Sequence, residues 1–263
     1  MKYPIGIQSF SEIRNGGYVY VDKTKQIYGL TQGKYYFLSR PRRFGKSLLL
    51  STLNALYTGQ KQLFQDLWIH EHWDWTQPPH PVIWLKFASM DYQGYGLEKA
   101  LLLEIRSIAT AFGVTLAEDD TLKGSFSTLL QSISGQQKVV LLIDEYDKPI
   151  IDYLDDIPQA EDNRAVLKRF YSVLKDADPY IELLFITGVS AFSKVSIFSD
   201  LNNLANISLE PQGYTLLGIT QDELDTVFAE QMQQHDRARV RDWYNGYSWG
   251  GEERVYNPFS ILR

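Results

Sequence analysis

The sequence predicts an α/β fold: a three-layer α/β/α sandwich with a mainly parallel sheet and a small helical segment at its C-terminal end. Apolar runs of strand length alternate with stretches of helical periodicity along most of the chain. The run at 139–143 has five consecutive apolar residues, which is typical of a strand buried on both faces of a parallel sheet. Such alternation predicts parallel strands that are joined by right-handed crossovers.

The composition is that of a globular protein. The chain has 263 residues, of which 44% are hydrophobic, enough for a sizeable core. It has no cysteine, which excludes a disulfide framework and a thiolate metal site. No apolar run approaches the roughly 20 residues that span a bilayer, and residues 1–10 lack the apolar centre of a signal peptide. We therefore expect a soluble, cytoplasmic protein with no membrane partner.

The N-terminal elements begin with a polar, turn-rich stretch that contains a strand-like run at 18–21. The three residues Asp22, Lys23 and Thr24 either cap a helix at 25–31 or lie near a bound base, and the cap is the favoured interpretation. A strand at 35–38 and a helix at 47–56 follow. Residues 60–80 hold three tryptophans and end in two prolines, so we expect a loop-rich insertion there.

The remaining elements continue the alternation of strands and helices. After residue 211 the pattern changes to short helices and a glycine-rich turn at 250–251. This change predicts a core at 1–210 and a small helical lid or linker at 211–263. The expected strands are 82–87, 139–143 and 181–187, and the expected helices are 97–112, 122–133, 163–174, 222–232 and 236–244.

A phosphate-binding loop is predicted between the strand at 35–38 and the helix that follows it. The consensus G-x-x-x-x-G-K-[ST] is met except at its first glycine, where Arg40 stands. Gly45 allows the backbone to approach phosphates closely, and the helix N-terminus offers free N–H groups to an anion. Lys46 can reach the β- and γ-phosphates, and the Ser47 hydroxyl can bind Mg²⁺. The alternative is a surface turn that caps the helix.

The arginine at the first glycine position indicates a loop of altered shape. Pro41 restricts the backbone directly after it. Arg42 and Arg43 follow, and either can add a contact to a phosphate. The net charge of −6 argues against broad capture of nucleic acid. An acidic chain with one basic loop suits a small polyanionic ligand.

An acidic pair follows the buried strand at 139–143. Carboxylates at the carboxyl end of such a strand lie where α/β sheets bind ligands. We expect Asp144 to hold Mg²⁺ opposite Ser47 and Glu145 to orient and polarise the attacking water. Because a glutamate is adjacent to the aspartate, hydrolysis is favoured over transfer to a metabolite. Asp147 needs no role beyond forming a turn.

Several further residues have two interpretations that stay open. Thr187 and Ser190 follow a predicted strand and either contact the γ-phosphate or form a Ser/Thr turn. Arginines on predicted helices either act as arginine fingers or lid residues, or are solvated; they are Arg164, Arg169, Arg237, Arg239 and Arg241. The cluster His70-Glu71-His72 has metal-ligand chemistry, but a surface position is favoured.

Four ordered blocks, covering nearly the whole chain, resemble the AAA-ATPase-like family of bacterial and archaeal proteins. In that family an arginine at the first glycine position is a common trait. Its members often carry a C-terminal nuclease-like domain of the PD-(D/E)XK type, so such a domain or a nucleic acid is a partner implied by the resemblance alone. The blocks are Y-V-D-K-T at 20–24, L-S-R-P-R-R-F-G-K-S-L-L at 38–49, L-I-D-E-Y-D-K-P at 142–149, and T-G-V-S at 187–190 with F-S-K-V-S-I-F-S at 192–199.

Together, the motifs and the resemblance imply an ATP-binding P-loop protein with a Mg²⁺-dependent ATPase activity, and oligomers are possible. The alternative is a non-hydrolysing nucleotide switch that controls a partner or a nuclease-like domain. The expected catalytic residues are Glu145 and Lys46, and the expected Mg²⁺ ligands are Ser47 and Asp144. The expected nucleotide-binding residues are Arg42, Arg43, Phe44, Gly45, Lys46, Ser47, Leu48, Thr187 and Ser190.

Overall fold

The computed structural model describes residues 2–190, 197–198, 201–251 and 253–263. They form two compact units that interleave along the chain. The loop unit comprises Met1–Gly33, Arg40–Gln77 and Asn206–Arg263, and the sheet unit comprises Lys34–Ser39 and Pro78–Ala205.

The helices and strands of the described residues have the following bounds. The helices are α1 (Phe10–Asn15), α2 (Thr24–Leu30), α3 (Lys46–Tyr57), α4 (Tyr92–Tyr95), α5 (Leu97–Ala111), α6 (Leu122–Ile133), α7 (Lys148–Ile151), α8 (Ile157–Asp176), α9 (Pro211–Tyr214), α10 (Gln221–Val227), α11 (Ala229–Met232), α12 (Arg237–Tyr244) and α13 (Pro258–Ile261). The strands are β1 (Tyr35–Ser39), β2 (Val82–Lys86), β3 (Val139–Asp144), β4 (Ile181–Gly188), β5 (Ala205–Asn206), β6 (Ile219–Thr220) and β7 (Val255–Tyr256).

The predicted α/β fold is confirmed. A five-stranded sheet has the order β2-β3-β4-β1-β5, and β2, β3, β4 and β1 pair in parallel. Every residue of β3 is buried, as the run of apolar residues predicts. Helices α5, α6 and α8 pack on one another, and Phe126 stacks on Phe170 with ring centroids 4.5 Å apart. Because β1, β3 and β4 run parallel, their carboxyl ends lie along the same side of the sheet.

Two predicted helices have different bounds in the structure. The helix expected at 163–174 begins at Ile157, because Asp156 caps it by accepting a hydrogen bond from the Gln159 N–H. Its first turns are largely exposed, so apolar periodicity does not reveal them. The helix expected at 222–232 is two helices, α10 and α11. They are separated at Phe228, whose buried ring joins the core of the loop unit.

The strand-like run at 18–21 is not a strand, so that prediction is wrong. Tyr18 makes only an isolated bridge to Lys2, and no ladder continues from it in the described residues. A strand needs a neighbour to satisfy its backbone groups. The apolar side chains of Val19 and Val21 instead pack against the core of the loop unit.

The helix expected at 25–31 is present as α2, but its N-cap residue, Lys23, makes no capping hydrogen bond through its side chain. Asp22 accepts hydrogen bonds from the Thr24 N–H and hydroxyl, at 2.8 and 2.6 Å, and its second oxygen accepts the Trp68 N–H at 2.8 Å. The tryptophan-rich insertion thus packs on α2. It is mostly loop with two short 3₁₀ helices, Lys61–Phe64 and Trp68–Glu71.

The loop unit has its own small core. This core consists of Ile219, Leu224, Phe228, Met232 and Tyr256, against which N-terminal residues pack. The division into a core at 1–210 and a segment at 211–263 stays a prediction about functional domains. None of the helices in the described ranges is long and apolar enough to cross a membrane.

Candidate nucleotide-binding residues

The predicted phosphate loop runs from the end of β1 to the start of α3. Gly45 occupies the N-cap position of this 12-residue helix with φ 95°, in the left-handed region that favours glycine. An added Cβ would meet no atom closer than Leu217 Cδ2 at 4.0 Å, so the backbone angle and not crowding requires glycine. No described side chain caps the helix. Its first N–H groups therefore suit an anion.

Lys46 is turned onto its own loop. Its side chain is buried, and Nζ donates hydrogen bonds to the carbonyl oxygens of Arg40, at 2.9 Å, and Pro41, at 3.0 Å. Two backbone carbonyls thus contact the ammonium group.

Arg40, at the position of the missing first glycine, is a buried anchor, which sequence reasoning did not identify. Its Nη1 donates to the Ser208 carbonyl at 2.9 Å and its Nη2 to the Gly213 carbonyl at 2.6 Å. The guanidinium lies 4.1 Å from the ring centroid of Trp249. Burial lowers the pKa of Arg40 to about 10, which leaves it charged at neutral pH.

The next residues of the loop are two exposed arginines and a buried phenylalanine. Arg42 and Arg43 are exposed, and the Arg43 guanidinium lies 3.9 Å from the ring centroid of Phe259. Phe44 is buried and packs edge-on against Tyr247 and Trp249, with ring centroids 4.8 and 5.6 Å away. Phe44 thus belongs to an aromatic cluster.

An apolar pocket lies beside the phosphate loop within the loop unit. Its cavity volume is about 110 Å³. A single charged side chain, Lys23, lines it and forms a buried ion pair with Glu223 at 2.6 Å. Burial lowers the pKa of Lys23, while Glu223 opposes this effect. The wall near the loop consists of Phe44, Gly45, Leu48 and Leu49, and the facing wall includes Leu216, Leu217, Gly218 and Ile219.

The acidic strand end lies in the sheet unit. Asp144 is the last residue of β3, is buried, and accepts a 2.8 Å hydrogen bond from the buried Thr187 hydroxyl on β4. Glu145 is half-buried and has φ 55°. A left-handed backbone is uncommon for a residue other than glycine and is found most often at functional sites. Asp144 is thus fixed by a neighbouring strand, and Glu145 lies at a strained turn.

Asp147 has a larger structural role than the turn that the sequence suggests. Its carboxylate is fully buried, and one oxygen accepts hydrogen bonds from the Val189 N–H, the Ser190 N–H and the Ser190 hydroxyl, at 2.9, 2.7 and 2.6 Å. Three donors to one oxygen tie the loop after β4 to the loop after β3. The third block of the resemblance continues at 192–199, where only Ile197 and Phe198 are described.

The other candidates are at the surface. Arg169 pairs with Glu98 at 3.2 Å, and both side chains are exposed. Arg237 pairs with Asp225 at 3.4 Å, Arg241 lies 3.8 Å from Asp242, and Arg164 and Arg239 are exposed.

The histidine cluster is also accounted for by local contacts. His70 contacts Glu71 at 2.9 Å, and His72 contacts the Trp68 carbonyl and stacks on its ring. The described residues contain no group of three or more acidic, histidine or cysteine side chains that could hold a metal by itself.

A parallel sheet, a glycine-lysine-serine loop at the start of a helix and an aspartate at the end of a buried strand define an α/β protein of the P-loop type. The chain belongs to the family described as Predicted AAA-ATPase, which matches residues 4–198. It is 45% identical over 268 residues to a protein of Azotobacter chroococcum mcd 1 named "Uncharacterized protein in vnfD 5'region". That alignment covers 99% of this chain and 51% of the relative, so the chain spans about half of the relative's length. No solved structure matches.

Proposed function

We propose that this protein binds ATP with Mg²⁺ and hydrolyses it. The observation that carries the proposal is the loop Gly45-Lys46-Ser47. A left-handed glycine there starts a helix with no side-chain cap, and a lysine and a hydroxyl follow directly. Membership of a family of predicted ATPases supports the same activity.

In this proposal the phosphate loop binds the triphosphate. The N–H groups at the start of α3 donate hydrogen bonds to the phosphate oxygens, and Lys46 leaves the two loop carbonyls to pair with the β- and γ-phosphates. Arg42 and Arg43 are exposed, and although Arg43 lies over Phe259, both side chains are proposed to contact a bound anion from solvent.

We place the base in the apolar pocket beside the loop. Leu48 and Gly45 belong both to the loop and to the pocket wall, so a ligand bound through phosphates can extend directly into it. Apolar walls with few polar groups are typical of small-molecule sites. Lys23 is the polar group that is available to a ring nitrogen of the base.

Ser47 and Asp144 are the proposed protein ligands of Mg²⁺, an ion that in nucleotide sites takes one or two protein oxygens and completes its shell with phosphates and water. The Asp144 carboxylate suits this role because the Thr187 hydroxyl orients it. When bound, Mg²⁺ neutralises charge on the phosphates. A metal cluster made of protein side chains alone is not required.

Glu145 is the proposed general base. Its carboxylate orients a water molecule and takes a proton from it as the water oxygen bonds to the γ-phosphorus, while the bond from that phosphorus to the leaving oxygen of ADP breaks. Thr187 and Ser190 stay predicted as contacts to the γ-phosphate. In the structure their hydroxyls donate to Asp144 and Asp147, so any such contact acts together with these carboxylates.

A non-hydrolysing switch is the second candidate, because Lys46 already has two carbonyl partners in the structure. Nucleotide binding would then replace the contacts of Lys46 to the two carbonyls with contacts to phosphates, and no hydrolysis would follow. Residues 211–263 would act as its lid or linker, and a nuclease-like domain or another partner would respond. The two candidates differ in a single measurable quantity, the rate of phosphate release.

The test is phosphate release from ATP and Mg²⁺ by wild type, Lys46→Ala and Glu145→Gln, with nucleotide binding measured in parallel. We expect turnover to fall at least about a hundredfold in both variants, as for the loss of a general base or of a transition-state contact. Nucleotide binding should be retained only in Glu145→Gln, because that change leaves the phosphate contacts in place.

Two outcomes would change the proposal. Tight nucleotide binding without turnover in the wild type would favour the switch. Absence of nucleotide binding in the wild type would mean that the loop has a structural role, and the proposal would be wrong. Removal of Mg²⁺ with a chelator should abolish turnover in the wild type and serves as a control for the metal.

A further inference from the structure

Three residues of the phosphate loop make specific contacts to residues 208–259, all within the loop unit. Arg40 donates to two backbone carbonyls of that segment. Arg40 and Phe44 both contact the Trp249 ring, and Arg43 lies over Phe259. Lys46 then donates to the carbonyl of Arg40 itself. The proposed catalytic lysine and residues 208–259 are therefore joined through one residue.

The contact between Arg40 and the strip Ser208–Gly213 is tightly built. A Cβ at position 213 would collide with the carbonyl oxygen of Ile207, so only glycine allows this backbone approach. Arg40 is 1% exposed. A buried guanidinium with two carbonyl partners strongly resists a change of position, because loss of either partner leaves a desolvated charge.

The carbonyl of Arg40 is also one of the groups that accept a hydrogen bond from Lys46. If the backbone at position 40 moved, the rest position of the lysine would move with it. If Arg40 stays fixed, Lys46 can swing to a phosphate while the loop keeps its shape. The first glycine of an ordinary phosphate loop has no side chain with which to fix the backbone in this way.

We infer that Arg40 is a positioning residue that links nucleotide binding at the phosphate loop to the docking of residues 208–213 and Trp249. This inference rests on the proposed function. Linkage is reciprocal: if docking of this segment raises the affinity of the loop for nucleotide, nucleotide strengthens the docking by the same factor. Through Arg40, nucleotide binding would thereby change the stability with which residues 208–213 and Trp249 pack on the loop.

The test compares Arg40→Lys with Arg106→Lys. Lysine keeps the charge but lacks the two-pronged guanidinium that spans two carbonyls. Arg106 is a matched control, because its Nη2 also donates to two backbone carbonyls, those of Ala117 and Glu118, at 3.3 and 2.6 Å in the sheet unit. Binding of ATP with Mg²⁺ is measured by calorimetry for each variant in a Glu145→Gln background, which removes turnover.

Two further measurements report on residues 208–249. Tryptophan fluorescence is recorded with and without nucleotide, and Trp249→Phe identifies the signal of that ring among the six tryptophans. Hydrogen exchange of the amides at 207–214 is followed with and without nucleotide, both in Arg40→Lys and in the protein without substitution at Arg40. The second of these measurements tests the linkage even if Arg40→Lys fails to fold.

We expect Arg40→Lys to weaken nucleotide binding about tenfold, within the usual range of coupling between sites, and Arg106→Lys to stay within about twofold. Nucleotide should change the Trp249 signal and slow exchange at 207–214, and both responses should be lost in Arg40→Lys. Equal affinities for wild-type Arg40 and Arg40→Lys, or unchanged exchange at 207–214 on saturation, would overturn the linkage alone. No binding in the wild type would overturn the proposed function, and the linkage with it.

Discussion

At the scale of single residues, the chain places charged groups inside the protein and gives each one a specific partner. Asp147 and Arg40 are both buried, and each binds two or more backbone groups that lie far away in sequence. Such contacts are valuable because an unpaired buried charge would be costly. They fix the loops that carry the proposed catalytic residues, although neither side chain has a proposed chemical role.

Gly188 provides a residue-scale prediction about the turn beside Asp147. A Cβ there would lie 2.5 Å from Tyr146 Cε1 and 3.0 Å from Asp147 Oδ1. We expect Gly188→Ala to lower the free energy of unfolding by roughly 1–3 kcal/mol, because the buried ring has no space in which to move. Urea denaturation measures this change.

Gly135→Ala is the matched control for that measurement. A Cβ at Gly135 would meet no atom within 4 Å, and its backbone angle is not in the left-handed region. Its free energy of unfolding should stay within about 0.5 kcal/mol of the wild type. If Gly188→Ala is as stable as this control, the close packing of Tyr146 on β4 does not exist in solution.

At the scale of elements, the helix ends are well specified by local sequence. α10 begins with a complete capping box, in which the Thr220 hydroxyl accepts the Glu223 N–H and the Glu223 carboxylate accepts the Thr220 N–H. Glu223 also pairs with the buried Lys23, directly before α2. The start of α10 is therefore coupled to the apolar pocket.

The capping box gives the element-scale prediction. Thr220→Ala should lower the free energy of unfolding by about 1 kcal/mol, because a first-turn N–H loses its acceptor. Thr226→Ala in the same helix is the control, since its exposed hydroxyl donates only to carbonyls of the preceding turn and alanine favours the helix interior. Thermal and urea unfolding measure both variants. A smaller loss for Thr220→Ala than for Thr226→Ala would contradict the assigned cap.

At the scale of the whole molecule, the chain follows an interleaved path. The loop unit is made of three separate segments. Strand β1, which lies in sequence between the first two of these segments, belongs to the sheet unit. The phosphate loop and residues 206–263 consequently share one unit, although some 160 positions separate them in sequence. A ligand of the loop is therefore expected to stabilise the C-terminal residues.

Limited proteolysis tests this expectation, which also bears on the predicted lid or linker at 211–263. Saturating nucleotide that binds only the folded protein stabilises it by about 2.7 kcal/mol at a hundred times its Kd. We expect cleavage after residue 211 to slow markedly with ATP and Mg²⁺ in Glu145→Gln, and to be unaffected in Lys46→Ala. Cleavage at 211–263 that is the same with and without nucleotide in Glu145→Gln would contradict the lid.

Most of the sheet and the long helices could be predicted because their signals are local. Apolar runs identify β1 to β4, and helical periodicity identifies α3, α5 and α6. The candidate site residues Gly45, Lys46 and Asp144 could be predicted because motifs are defined by residue types at fixed positions along the sequence. Short helices such as α7 and α9 were not predicted, because a helix of four residues is too short to show a helical periodicity of apolar residues.

The sequence alone determined the fold class and the family, and it predicts the phosphate loop. The tertiary structure decided what Arg40, Asp147 and residues 18–21 do. The partners of Arg40 are 168 and 173 positions away, and those of Asp147 are 42 and 43 positions away. A side chain's role depends on such distant neighbours as soon as it is buried, because burial makes every unpaired polar group costly and only the folded chain can supply the partner.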